Sequence, residues 1–372
     1  MNIGFDAKRL FFNTTGLGNY SRTLVQNLHQ TFPEYSYHLY APKLTDKVEA
    51  KYPYFQQKSF ITHTNQRVPS SLWRTWNMTN NWKKDSLSIF HGLSNELPLK
   101  RDAATRTIIT IHDLIFKRLP STYARANRFI YDKKVQRGCD SADKIIAISE
   151  HTKKDLIDYY QIEPQKIEVL YQAVADLFYQ ETDRTFKEAD KLDLPREYIL
   201  SVGSFQARKN QMRILQAWQL LPADLQIPLV FVGKGKTYQQ DLEQYAHKHQ
   251  IPVHFLTTVN QLSTLKKIYQ NAHLFLYPSL YEGFGLPVVE AQLCKVPVIT
   301  SNVSALPEAA SATTILVDPH EVSEIANAIE NALTDTFLRE NMIQEGYLYA
   351  KQQFDPLNLS GQLMEVYKQV ID

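Results

Sequence analysis

Cysteine is scarce. Two in 372 residues, Cys139 and Cys294, cannot supply a zinc-ligand set or a disulfide framework, and they fit a reducing compartment. No apolar run approaches the roughly 18 residues of a membrane span. The opening residues 1–6, MNIGFD, read as a strand and not as a signal peptide, so a cytoplasmic protein is expected. No two aspartates are separated by a single residue, which leaves no D-x-D site for a divalent ion. Charge of one sign is also lacking: 41 Lys and Arg face 39 Asp and Glu. Whole-chain electrostatics therefore does not favour a nucleic-acid partner. Internal repeats and low-complexity segments are absent.

The sequence does hold ample apolar residues, 44%, enough for two domains with a core each. Its charge is uneven. Residues 1–180 carry 25 Lys and Arg against 17 Asp and Glu, and residues 181–372 carry 16 against 22, so the first half favours an anionic partner. Short β-branched or aromatic runs alternate with helical patterns, the signature of parallel sheets with crossover helices. Strands are expected at 2–6, 36–41, 87–90, 106–112, 143–148 and 167–171. A second series is expected at 198–203, 228–233, 252–255, 273–277, 296–300 and 314–317. The first helix, about 17–32, places Leu24, Val25, Leu28 and Phe32 on one face. A polar stretch at 180–195 reads as a linker. The fold class is thus α/β, with two tandem Rossmann-like doubly wound domains at 1–180 and 181–372. The last helix is left free to pack back on the first domain. Ligands of such sheets sit outside the carboxyl ends of the strands, so an interdomain cleft is the expected site.

Four stretches could carry chemistry. In the first, strand 273–277 runs into Glu282-Gly283-Phe284-Gly285-Leu286-Pro287 and a helix holding Glu290. Glycines let the backbone turn, proline suits a first helical turn, and helix-start amides can hold phosphate. Glu290 can accept hydrogen bonds from paired hydroxyls such as those of a ribose. A plain strand-loop-helix corner with two solvated glutamates remains the alternative. In the second, Gly203 permits close approach, and Arg208 and Lys209 stand at a helix start, where cations oppose the helix dipole unless an anion is bound. Their simplest role is to neutralise a diphosphate, and a solvated basic pair is the alternative. The third is Gly16-Leu17-Gly18, a glycine turn between the first strand and helix. It is no dinucleotide fingerprint, because Ser21 holds the third glycine position. The fourth is His112-Asp113 at a strand end, a pairing that also serves purely structural ends. Ser149 reads as a helix N-cap.

Taken together, in order and in kind, these stretches resemble the retaining glycosyltransferases of family four, which have the glycosyltransferase-B fold. Glu282 and Glu290 with the intervening G-F-G-L-P-V-V look like the family's E-x7-E signature. Arg208-Lys209 looks like its diphosphate clamp, and Gly16-Leu17-Gly18 like its amino-terminal glycine loop, though many members have adjacent glycines there. The resemblance implies that Glu290 meets the ribose, Glu282 the donor-sugar hydroxyls, and Arg208 and Lys209 the leaving diphosphate. It places His112 at the sugar edge near the acceptor, with Asp113 supporting it. Residues 5–9, FDAKR, and 91–98, HGLSNELP, look more narrowly like bacterial mannosyltransferases that build surface polysaccharides. That implies a nucleoside-diphosphate sugar donor, GDP-mannose favoured, a glycan or lipid-linked acceptor, and no cofactor.

With no D-x-D pair, leaving-group charge must be met by cations and helix amides. Two other readings stay open: a sugar-nucleotide epimerase of similar fold, and a non-catalytic sugar-nucleotide binding protein. Trp73, Trp76 and Trp82 lie among Arg67, Arg74, Lys83 and Lys84, and aromatic rings with basic neighbours suit a bilayer interface. A peripheral contact of the first domain with the inner membrane face is expected on that ground. The alternative is that the tryptophans are core or groove residues.

Overall fold

The computed structural model describes residues 1–65, 68–120, 124–181, 192, 194–259 and 261–372. The expected linker at 180–195 and Arg67 lie, the former for the most part, outside the described residues. The chain forms two compact units, one of residues 1–174 with 355–372, the other of residues 175–354. The division falls between Val174 and Ala175 instead of at 180–181, and the helix Pro356–Ile371 belongs to the first unit.

The first unit is built on seven strands: β1 (Asn2–Asp6), β2 (Ser36–Tyr40), β3 (Phe60–His63), β4 (Ile89–Gly92), β5 (Arg106–Ile111), β6 (Lys144–Ala147) and β7 (Ile167–Val169). They pair in parallel in the order β3-β2-β1-β4-β5-β6-β7. The second unit has six: β8 (Ile199–Val202), β9 (Leu229–Val232), β10 (Val253–Leu256), β11 (Leu274–Tyr277), β12 (Val298–Ser301) and β13 (Ile315–Val317). Their order is β10-β9-β8-β11-β12-β13, again parallel. Both are doubly wound sheets, and in each the order reverses beside the first strand. Twelve strands match the sequence reading. The thirteenth, β3, was not expected: it is an edge strand bonded only to β2, and Ile61 on it is exposed, so it lacks the apolar run that marks a buried strand.

The helix Gly16–Thr31 buries Tyr20, Val25 and Leu28, while Leu24 and Phe32 are only half-buried. The helix Gln211–Gln219 buries Ile214, Leu215 and Trp218 against the second sheet. Ser149 caps the helix Glu150–Tyr160, its Oγ accepting from Thr152 N at 3.0 Å. Cys139 and Cys294 are buried free thiols. Among the described residues no helix is long and apolar enough to cross a membrane.

The tryptophan patch is corrected by the structure. Trp82 is fully buried and stacks on Phe90, centroids 4.3 Å apart, and Trp73 packs in the same cluster. Burying such side chains is worth about 1.5–3 kcal/mol each, which explains why they turn inward. Arg74 is taken up by Asp6 and Glu96. Of the three tryptophans only Trp76 is exposed.

Candidate functional site

The reversal point of the second sheet lies between β8 and β11, whose carboxyl ends are Val202 and Tyr277. Gly203 follows β8 with φ of +152°, a conformation that side chains rarely adopt. A Cβ there would make only ordinary contact with Lys209 Cε and Tyr277 Cε2 at 3.7 Å, so the backbone conformation, not crowding, is what favours glycine. Lys209 ends a 3-10 turn, Ala207–Lys209, and Asn210 follows in the left-handed region with φ of 65°. Asn210 Nδ2 donates to the carbonyls of Pro278 (2.9 Å) and Pro319 (2.7 Å), and Leu280 N–H donates to Arg208 O (2.8 Å). These bonds lock the β8 loop to the β11 loop.

Glu282 is what the two loops bring together. Its Oε1 accepts from Lys209 Nζ at 2.5 Å and stands 3.0 Å from Arg208 Nη1. The Tyr277 hydroxyl donates to the same oxygen at 3.2 Å and also bonds Lys209 Nζ. Lys209 lies 4.9 Å from the Tyr277 ring centroid, a cation over an aromatic face. Burial would push the Glu282 carboxyl up. Lys209 first and then Arg208 outweigh it and hold it down at about 2. The basic pair and the first glutamate, which the sequence presents as separate features, form one ion triad here.

The helix Leu286–Leu293 starts at Gly285, whose φ is +154°. A Cβ there would press on Ala309 Cβ and Leu306 Cδ2 at 3.1 Å. Gly283 and Phe284 are buried, with Phe284 edge-on to Phe354 at 5.4 Å, and Leu286 is half-buried. Glu290 sits one turn into the helix, half-buried, its Oε2 accepting from Tyr269 OH at 2.8 Å. Burial raises this carboxyl, the Tyr269 bond offsets only part of that, and it titrates at about 7. Among the described residues Oε1 has no protein partner. It is the atom available to a ligand hydroxyl.

In the first unit His112 follows β5. Its N–H donates to Asn95 Oδ1 (2.9 Å) and its Nε2–H to Leu93 O (2.8 Å), leaving Nδ1 as the acceptor, with Gln172 Nε2 at 3.5 Å. Burial lowers the ring to about 4, so it is neutral. The edge of the Tyr20 ring meets it with centroids 4.6 Å apart. Leu93 and Gln172, not Asp113, are what the ring nitrogens meet. Asp113 Oδ1 accepts from Ile115 N at 3.1 Å and starts the next helical turn. The glycine turn is also occupied internally. Asn13 Oδ1 accepts from Thr15 N (2.8 Å) and Gly18 N (3.1 Å), and a Cβ on Gly18 would collide with Asn13 O. Gly18 is needed for that close packing. Gly16 has open space around it and Leu17 is half-buried.

Sequence reasoning missed Tyr277 and Tyr269, the hydroxyls that hold the two glutamates. Tyr277 had a signal: it is the one polar-tipped residue of an apolar central strand, L-F-L-Y, next to Pro278. It also missed a buried chain of hydroxyl and imidazole groups. Tyr20 OH meets Thr110 Oγ1 at 2.9 Å, and Thr110 Oγ1 meets His91 Nε2 at 2.8 Å. Residues so far apart in sequence leave no spacing motif.

Two family profiles match the chain: Glycosyltransferase Family 4 over residues 14–176 and Glycosyl transferases group 1 over residues 182–349. O-antigen chain mannosyltransferase B of Escherichia coli is 28% identical over 99% of this chain and 100% of its own length. Serotype-specific mannosyltransferase WbdA of Escherichia coli is 32% identical over 68% of this chain, and the match covers only 33% of that longer protein. Among solved structures, the chain resembles sucrose-phosphate synthase from Thermosynechococcus elongatus (TM-score 0.76, 18% identity, 100% and 99% of the two chains). It also resembles Anabaena HepE in complex with UDP-glucose (TM-score 0.75, 17% identity, 99% and 100%). At these identities the two structures share its fold.

Proposed function

The chain belongs to family 4 of the group 1 glycosyltransferases, retaining enzymes of the glycosyltransferase-B fold, and on that footing we propose that it transfers mannose from a nucleoside-diphosphate donor, GDP-mannose favoured, to a growing bacterial surface polysaccharide or its lipid-linked precursor. The mannosyltransferases of Escherichia coli support the sugar and the acceptor class. The observation that carries the reading is the ion triad of Arg208, Lys209 and Glu282 at the reversal point of the second sheet.

The second unit takes the donor. Breaking the sugar-phosphate bond concentrates negative charge on the diphosphate, and Arg208 and Lys209 bind that charge more strongly as it develops. Glu282 is their counterion in the free protein. A bound diphosphate displaces it as the anion, and the released carboxylate turns to the hydroxyls of the sugar. Glu290 Oε1 accepts from the ribose. The first unit takes the acceptor at the carboxyl ends of β1, β4 and β5, where His112 presents an uncharged ring. The departing phosphate oxygen removes the acceptor proton on the face it leaves, which retains the anomeric configuration without an enzymic nucleophile.

Peripheral docking on the cytoplasmic membrane face belongs to the same reading, through a different surface from the tryptophans. The helix Arg125–Ser141 exposes Phe129 and Ile130 beside Arg125, Lys133, Lys134 and Arg137. Each basic residue near an anionic surface adds about 1 kcal/mol. Co-sedimentation with anionic vesicles at low and high salt tests it, and loss of binding in Phe129→Ser with Lys134→Gln is expected.

The test of the reaction is nucleotide release from GDP-, UDP- and ADP-sugars with and without a mannan acceptor. Acceptor-dependent release of GDP from GDP-mannose is expected. Equal release without acceptor would instead fit the epimerase chemistry.

A further inference from the structure

The edge of the first sheet holds a cluster that the transfer reaction does not use. β2 and β3 pair in parallel with Tyr40 opposite His63 and His38 opposite Ile61. This register brings His38 Nδ1 to 3.0 Å from His63 Nε2. From the turn before β4, Asp85 Oδ2 reaches to 3.4 Å from His63 Nε2. All three atoms lie within 4.8 Å of one another, and among the described residues no other three His, Cys, Asp or Glu side chains converge in this way. Tyr40 orients two of them: its hydroxyl donates to Asp85 Oδ2 at 2.6 Å, and its ring stacks on His63 with centroids 4.5 Å apart.

Without an ion these groups cannot all be satisfied. If His63 Nε2 carries the proton, it serves His38 Nδ1 or Asp85, and His38 must keep its own proton on Nε2, which is buried with no partner. If His38 Nδ1 carries it, the lone pair of His63 Nε2 faces the Asp85 carboxylate. A buried donor without an acceptor costs about 1–3 kcal/mol. A cation where the three lone pairs converge replaces the lone-pair clash of the second arrangement with metal–ligand bonds, while His38 moves its proton to Nε2, where it has no acceptor, a cost those bonds must outweigh. Two of the separations, 3.0 Å and 3.4 Å, are close to the roughly 3.3–3.4 Å between ligand atoms around a tetrahedral zinc with bonds of about 2.0–2.1 Å.

We propose that His38 Nδ1, His63 Nε2 and Asp85 Oδ2 bind a divalent transition-metal ion, zinc by preference, that clips edge strand β3 to β2 and to the turn at Asp85. Two imidazoles and one carboxylate suit zinc and its neighbours, whereas calcium and magnesium take all-oxygen sets. His38 is buried, but the His63 and Asp85 side chains keep 15% and 12% exposure, which lets water complete the coordination. A strand bonded on one side only is where such a clip adds most.

The experiment is titration of the EDTA-stripped full chain with zinc chloride, followed by calorimetry and by thermal melting. One equivalent of zinc with a raised Tm is expected. His63→Gln and Asp85→Asn should each weaken zinc binding at least about tenfold, since even removing partners outside the ligand set costs 10–100-fold. Asp85→Asn keeps an oxygen for the Tyr40 hydroxyl and should melt, metal-free, close to the parent protein. The inference is overturned if the parent binds no zinc, which would leave a proton-sharing histidine pair, or if both variants bind it as tightly as the parent.

Discussion

The Tyr367 hydroxyl lies 2.7 Å from Nδ1 of His91, and both residues are fully buried. The bond fastens the helix Pro356–Ile371 to β4 at the middle of the first sheet, and the chain of contacts continues through Thr110 to Tyr20, whose ring edges against His112. Burial drives the His91 imidazole down to about 3, so each ring nitrogen must find one donor or one acceptor. Tyr367→Phe is expected to destabilise the protein by about 1–3 kcal/mol, the cost of orphaning a buried polar atom. Urea denaturation measures it, and an unchanged midpoint would contradict the role given to this bond.

Arg208→Ala and Lys209→Ala should each lower kcat/KM at least tenfold, about 1.4 kcal/mol of transition-state stabilisation. Steady-state kinetics with GDP-mannose and acceptor are the check. Near-parental turnover in both variants would remove these residues from the diphosphate.

Glu282→Gln should separate binding from transfer. With the carboxylate charge gone, Arg208 and Lys209 lose their internal competitor, so free GDP should bind as tightly as in the parent or more tightly, while turnover falls. Calorimetry with GDP alone decides it. The ion triad also contributes stability that is present above the ordinary carboxyl value of 4.5 and is lost as pH falls toward about 2.

Glu290 has the opposite sign. Its folded value of about 7 lies above the ordinary 4.5, so the folded state binds more protons between the two, and this group's contribution to stability falls as pH rises through that window. On the proposed role of this carboxylate at the ribose, GDP affinity should climb as pH passes 7 and the climb should vanish in Glu290→Gln. Tyr269→Phe removes the bond that lowers the value and should shift the climb to higher pH.

Excess EDTA should leave transfer activity in place at temperatures well below melting, since Arg208 and Lys209 are the proposed partners of the diphosphate. Loss of activity with EDTA and rescue by magnesium would overturn this. A fall in Tm without a fall in turnover is the result expected if zinc sits at His38, His63 and Asp85.

The architecture was legible because parallel sheets buried on both faces write themselves as apolar runs: Leu274 to Tyr277 and Leu229 to Val232 have every position buried. β3 was hidden because an edge strand needs no such run. Arg208, Lys209, Glu282 and Glu290 stood out as candidates because glycine and proline mark strand-to-helix corners beside them. The pairing of Glu282 with the two cations was not, since 73 residues separate Lys209 from its partner. Trp73 and Trp82 misled because aromatic residues with basic neighbours look alike whether they face lipid or a core, and only the helical and turn geometry of residues 70–85 decides which. Asp113 shows why adjacency is a weak signal: a carboxylate beside a histidine in sequence has backbone neighbours as rivals, and here its Oδ1 accepts from Ile115 N.

Every strand in both sheets is parallel, so no strand is joined to its neighbour by a tight hairpin, and each pairing waits for a crossover to be made. The first unit waits longest. Residues 355–372 complete it, yet they leave the ribosome only after all of residues 175–354, so the second unit has its full complement of chain while the first still lacks a helix. Until then His91 Nδ1 lacks its phenol and the apolar face that Leu359, Leu363 and Met364 will cover stays open to solvent. The half of the sequence that is made first is therefore the half that finishes folding last, and its exposure to chaperones and proteases is set by the time taken to translate the other.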